Sequence, residues 1–180
     1  MIGQSVNNNI NGEFHKPLLE TGDLAPISVS VYNRLWHFKK CISALSENSL
    51  ARHSVLYIFS DAPAEGDEQS VAQVRCYAEQ IDGFGAVRLF FQEHNSYRKN
   101  MTDARDIPLQ NHGKIIRLED DVFVSKFFLT YMNEALVAYE NDPKIFGVSA
   151  CTFPRNESLG STVVKAYYCL NASGVGLWQD

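Results

Sequence analysis

Three consecutive carboxylates, Glu119, Asp120 and Asp121, close an apolar run in the stretch IIRLEDDVFV, residues 115–124. Strands disfavour Asp, and adjacent like charges repel. Two unit charges about 4 Å apart repel by ~4 kcal/mol at an effective dielectric near 20. A divalent cation reverses the sign of that energy. Oxygen donors of this kind suit Mg²⁺ or Mn²⁺, which bind through one or two carboxylates together with substrate phosphates. The bland alternative is a solvated turn before a helix whose dipole favours acids. The strongly apolar strand before the trio, and polar groups at other strand ends, favour the metal.

Those other groups are Ser30, Tyr32, Asn33 and Arg34 after one apolar run and Asp61 after the next. A tyrosine ring can stack on a nucleobase, and an aspartate can accept a base N–H. Each alone reads as a cap or turn residue. Together with the acids they outline a nucleotide site across neighbouring strand ends, where open α/β sheets bind ligands.

The elements that must position these groups follow from hydrophobic periodicity. Apolar runs predict strands over residues 26–32, 54–63, 86–93, 114–121 and 145–153. Leu35, Phe38, Ile42 and Leu45 recur at helical spacing over 33–48, with Asn33 placed to cap. Val71, Val74, Tyr77, Ala78 and Ile81 line a second helix over 71–81. A basic loop carrying Arg98 and Lys99 runs into a third, which Pro108 begins or kinks. A helix within 125–143 has Ser125 as its cap and Pro143 as its stop. Its expected apolar face is Phe128, Tyr131, Met132, Ala135, Leu136 and Tyr139. This alternation predicts a mostly parallel sheet with helices on both faces. Residues 1–24, polar and rich in Asn and Gly, read as a flexible leader to one domain over 25–180.

With 180 residues the chain can bury a sizeable core. A net charge of −5 and the lack of a Lys/Arg cluster exclude a general nucleic-acid surface. No apolar run approaches the ~18 residues that cross a bilayer, and the N-terminus is not patterned as a signal peptide. The expected location is therefore the cytoplasm, with contact at the inner face of a membrane left open. Cys41, Cys76, Cys151 and Cys169 form no metal-binding pair and read as reduced core cysteines. Without a secretion signal, the sequons at Asn100, Asn156 and Asn171 carry little weight.

The segments PISVSVYNRLWHFKKCISAL, YIFSDAP and GKIIRLEDDVFVSKFFLTYMNEAL resemble the nucleotide-sugar half of the GT-A glycosyltransferases, family 2 in particular. The stretch LEDDVFVSKFF is similar to the branch containing N-acetylglucosaminyltransferase I, where the D-x-D-type motif reads E-D-D. The resemblance spans about residues 26–180. It implies a Rossmann-like three-layer α/β sandwich and sugar transfer from a nucleoside-diphosphate sugar, a UDP-sugar favoured. The implied acceptor is a glycan, a lipid-linked group or a protein. Asp121 would be the Mn²⁺ or Mg²⁺ ligand, and Glu119 and Asp120 would contact ribose and sugar. Ser30, Tyr32 and Arg34 would line the nucleotide, Asp61 the base edge, and Arg98, in preference to Lys99, the diphosphate.

The resemblance also implies an inverting mechanism, whose carboxylate base stands beyond the acidic motif in the acceptor half. YYCLNASGVGLWQD looks like the start of the glycine–tryptophan segment that precedes it, so the base is expected past residue 180 and the acceptor half is expected to be incomplete. Asp142, Glu157 and Asp180 are not nominated. A loose C-terminal edge exposing Leu177 and Trp178 is expected. Two other readings stay open: a non-catalytic nucleotide-sugar-binding domain, and a nucleotidyltransferase. The latter is disfavoured because VYNRLWHF lacks a phosphate-binding glycine.

Overall fold

A computed structural model describes residues 24–150 and 174–179. All but the last residue of the expected leader lies outside these, as do Cys151, Cys169, Asn156, Asn171, Glu157 and Asp180. The chain order is β1 (Ile27–Val31), α1 (Leu35–Ser46), a 3₁₀ turn (Ala51–His53), β2 (Val55–Ser60), α2 (Glu68–Ala78), β3 (Ala86–Phe91), α3 (Tyr97–His112), β4 (Lys114–Glu119), α4 (Phe128–Tyr139), β5 (Gly147–Ser149) and β6 (Val175–Trp178). The sheet order is β3-β2-β1-β4-β6-β5. The first four strands in that order run parallel, and β6 is antiparallel to both β4 and β5.

Covering a parallel sheet on both faces demands apolar side chains in both directions. Ile27, Val29 and Val31 of β1 join Phe38 and Leu45 of α1 and Leu129 and Met132 of α4 in the main core. The opposite face is smaller: Tyr57 and Phe59 of β2 meet Ala104 of α3. Small Ser28 and Ser30 fall on this face and let α3 approach. Pro108 sits inside α3 and has no N–H for the carbonyl of Ala104. The Ser28 hydroxyl donates to that carbonyl instead, at 2.7 Å. Pro108 therefore does not begin the helix; Ser96 does, accepting from the Lys99 amide at 3.4 Å.

Several expectations are corrected. Asn33 does not cap α1, whose N-cap position is Arg34 without a side-chain bond. Ser125 lies one turn too early for α4 and caps nothing in the helix proper; its hydroxyl accepts from the Phe127 amide. On α4, Leu129 and Asn133 are buried while Tyr131 is exposed. Asn133 satisfies itself there, accepting from the Ala25 amide and donating to the Leu129 carbonyl, both at 2.8 Å. Cys76 is exposed, whereas burial pushes the Cys41 thiol up to about 12.

The C-terminal edge is not loose. Leu177 and Trp178 are half-buried in β6, between β4 and β5, and the Trp178 indole donates to the Leu136 carbonyl at 3.2 Å. Gly176 makes this strand fit under α4. A Cβ there would lie 2.7 Å from Val148 Cγ2 and 3.1 Å from Leu136 Cδ2.

Candidate functional site

The C-terminal ends of β1, β2 and β4 lie side by side, because β1 is hydrogen-bonded to both of the others. At the end of β4 the acidic trio divides. Strand alternation puts Glu119 on the face of Arg117, whose guanidinium reaches Met101 of α3. Asp120 and Asp121 turn toward the start of α1. There Arg34 spans them, Nη2 donating to Asp120 Oδ1 and Nη1 to Asp121 Oδ2, the latter at 3.0 Å. The expected crowding of three charges is thus corrected to a pair of carboxylates with an internal counter-ion.

The two members of that pair differ. The Asp120 side chain is 4% exposed and that of Asp121 is 43%. Burial raises the Asp120 carboxyl above its ordinary 3.8, against the opposing pull of the Arg34 guanidinium and, more weakly, of His37. Asp120 Oδ2 is buried with no hydrogen-bond partner among the described residues. The hydrogen bond to Asp120 in turn raises the Arg34 guanidinium.

Asp61, after β2, is 5% exposed. Its Oδ1 accepts from the amides of Ala62 and Ser96 at 2.8 and 2.9 Å, joining the β2 and α3 loops. Arg75 of α2 braces the same place, donating to the carbonyls of Asp61 at 3.2 Å and Gln92 at 2.8 Å and stacking over Phe91. Desolvation lowers the Arg75 guanidinium below its ordinary value. Asp61 Oδ2 has no hydrogen bond among the described residues.

Tyr32 and Asn33 both donate to Asp67, at 2.8 and 3.1 Å, and the Tyr32 hydroxyl also accepts from the Ala64 amide. The Tyr32 hydroxyl is therefore committed to holding the loop before α2. Ser30 Oγ is buried without a partner among the described residues, on the α3 face beside Glu119. Lys99 pairs with Asp103, whereas exposed Arg98 makes no hydrogen bond or ion pair among the described residues. The structure thus brings Arg34, Asp120 and Asp121 together, keeps Asp61 and Tyr32 at the adjoining strand ends, and sets Ser30 and Glu119 on the other face.

Two features escape sequence reasoning. The pairing of Arg34 with Asp120 and Asp121 spans more than eighty residues and leaves no local signal. The exposed rings of Trp36 and Phe123, two residues beyond Arg34 and Asp121 respectively, meet edge-on with centroids 6.3 Å apart.

Among the described residues no three His, Cys, Asp or Glu side chains converge on one point. The donor set is nonetheless compatible with a hard divalent cation, since two carboxylates suffice when phosphate and water supply the remaining oxygens. The unpartnered Asp120 Oδ2 and half-exposed Asp121 fit that mode.

No protein-family model matches this sequence, and no curated protein matches it. Solved structures do. A mannosyltransferase from Pyrobaculum calidifontis, PcManGT in complex with GDP-Man and Mn²⁺, is 18% identical with a TM-score of 0.54; the match covers 73% of this chain and 36% of that one. TarS 1–349 of S. aureus is 12% identical with a TM-score of 0.56, over 86% of this chain and 47% of that one. TarS 1–349 in complex with UDP-GlcNAc gives 12% and 0.54, over 84% and 44%. The fold is the GT-A α/β architecture, with a mostly parallel six-stranded sheet between helices. This chain spans between a third and a half of the length of these structures.

Proposed function

We propose that this chain binds a nucleoside-diphosphate sugar, a UDP-sugar favoured, and takes part in transferring the sugar to a hydroxyl of a glycan, lipid-linked or protein acceptor. The proposed class is an inverting, metal-dependent glycosyltransferase, family 2-like and nearest the branch of N-acetylglucosaminyltransferase I. The observation that carries this reading is the Asp120–Asp121 pair at the end of β4, facing Arg34, with a buried carboxylate oxygen left without a partner. The GT-A fold, and the nucleotide sugars in two of the similar structures, support it.

Asp121, exposed beside its buried neighbour, is the proposed ligand of Mn²⁺ or Mg²⁺, and Asp120 the second oxygen donor or ribose contact. A bound cation would neutralise charge growing on the leaving diphosphate, an effect worth several kcal/mol. Arg34 offers the same diphosphate a planar, bidentate donor. Asp61 Oδ2, on a carboxylate held by the two amides on Oδ1, is proposed to accept a base N–H, with the ring of Tyr32 at the adjoining strand end as the proposed stacking partner. Glu119 and Ser30 are proposed to reach the ligand from the α3 face, and exposed Arg98, at the start of α3, is the proposed diphosphate contact. The base that deprotonates the acceptor is assigned to no described residue.

A thermal-shift screen of UDP, GDP and dTDP and their sugars, with and without Mn²⁺, tests this reading. At least one nucleotide should raise the melting temperature only with metal present, and Asp121→Ala should abolish the shift. Silence from every ligand on a folded protein would overturn it.

A further inference from the structure

The acidic pair is already compensated from within the chain. Arg34 uses two nitrogens on two carboxylates, one of them buried. The guanidinium is half-exposed at 44%, so it can leave toward solvent without disturbing the core. Asp120 Oδ2, by contrast, is buried without a hydrogen-bond partner among the described residues, so a ligand that reaches it as the guanidinium leaves gains a contact these residues do not provide.

We infer that Arg34 makes this site selective for a cation that arrives with a diphosphate and against the bare cation. The inference rests on the metal–diphosphate reading above and deepens it. A bare Mn²⁺ or Mg²⁺ meets two carboxylates whose charge is half neutralised and two of whose oxygens are occupied by N–H donors. It must either displace the guanidinium, leaving that cation without an acceptor, or sit beside it and be repelled. A diphosphate removes the conflict. It gives the planar guanidinium a bidentate anionic partner, and Arg34 moves from the carboxylates to the phosphate oxygens. Oδ1 of Asp120 and Oδ2 of Asp121 are then released to the cation. The two ligands are coupled through one side chain, and the coupling is reciprocal by thermodynamic necessity. Lys99, tied to Asp103 within α3, is not available for this exchange, and Arg98 holds no carboxylate to release.

The test needs neither base nor sugar. Mn²⁺ binding to the full chain is followed by the loss of the free-ion EPR signal, with and without inorganic pyrophosphate. Arg34→Gln should bind Mn²⁺ alone roughly tenfold more tightly than the unmodified chain, the equivalent of one charge-assisted hydrogen-bonding contact. Pyrophosphate should tighten Mn²⁺ binding of the unmodified chain and do so much less in Arg34→Gln. Unchanged or weaker Mn²⁺ binding by Arg34→Gln would overturn the inference, as would an equal pyrophosphate effect in both proteins. A gain that survives Asp121→Asn in the Arg34→Gln background, and so lies elsewhere, would also overturn it.

If Arg34→Gln fails to fold, the Arg34 Nε–Hε NMR resonance of the unmodified chain decides. It should move with Mg²⁺ and pyrophosphate together and stay in place with Mg²⁺ alone; equal shifts in both sink the exchange. Failure here is distinguishable from failure of the donor reading. Coupling with every nucleotide sugar silent removes the donor and leaves Arg34 in its role. Metal-dependent nucleotide binding without coupling does the reverse.

Discussion

Two carboxylates at flanking strand ends are built in opposite ways. Asp61, after β2, spends one oxygen on two backbone amides drawn from separate loops, and Arg75 braces its own carbonyl. Asp120, after β4, has among the described residues no amide donor; it has one replaceable guanidinium and one buried oxygen with no partner there. Both are almost fully buried. Burial alone therefore does not separate a carboxylate fixed by the backbone from one whose partner can be exchanged. What separates them is what anchors the carboxylate: one oxygen of Asp61 is fixed by two backbone amides, whereas the Asp120 side chain is held by a guanidinium that can move.

Substitutions break or sharpen that contrast. Asp61→Ala should be the most damaging, leaving two amides without their acceptor and unfastening the β2 and α3 loops. About 3 kcal/mol should disappear from the urea-unfolding free energy, because bonds to a charged acceptor are worth about 1.5–3 kcal/mol each. A loss below about 1 kcal/mol would mean the loops hold themselves, and the contrast fails. Arg75→Met should follow at about 2 kcal/mol, since the shaft can still pack on Phe91 while the carbonyls of Asp61 and Gln92 lose a charged donor. Asp120→Asn should stay within about 1 kcal/mol of the unmodified chain, because a half-exposed ion pair contributes little and losing a buried charge compensates. The same change should nevertheless remove the Mn²⁺-dependent response to nucleotide. If it destabilises as much as Asp61→Ala, Asp120 is structural after all.

The sequence disclosed this contrast only in part. Apolar runs at 54–63 and 114–121 located β2 and β4 because both are buried on two faces, and the acids stood out as interruptions of those runs. Parallel order was legible for the same reason, since helices must cover both sides. Strand β6 was not, being four residues long with Gly176 in it, and its place is set by contact with Val148 and Leu136 rather than by pattern. Asn33 and Ser125 fit capping rules locally, yet a tertiary partner, Asp67, claims the one, and α4 starts a turn later than the other. The trio looked like a single cluster because adjacency in sequence hides strand alternation, which sends Glu119 to the α3 face. The guanidinium that answers the remaining two comes from the connection after β1, more than eighty residues earlier and beyond the reach of any spacing rule.

The smallest effect probes the balance at Asp120 itself. Its carboxyl is raised in the folded chain, burial outweighing the help of Arg34, so the folded state binds this proton more tightly than the unfolded state does. Such a group contributes stability that is complete below the ordinary 3.8 and is lost as pH rises through the folded-state value. Asp120→Asn cannot titrate and serves as the reference. The stability of the unmodified chain relative to that variant should fall as pH rises above the ordinary 3.8. Urea midpoints of the two proteins at rising pH measure it. Saturating Mn²⁺ with pyrophosphate should flatten or invert the slope, because the ion favours the charged carboxylate. A relative stability that rises with pH in the absence of metal would show that Arg34 outweighs burial. Asp120 would then be as firmly bound into the chain as Asp61, and the difference between the two strand ends would vanish.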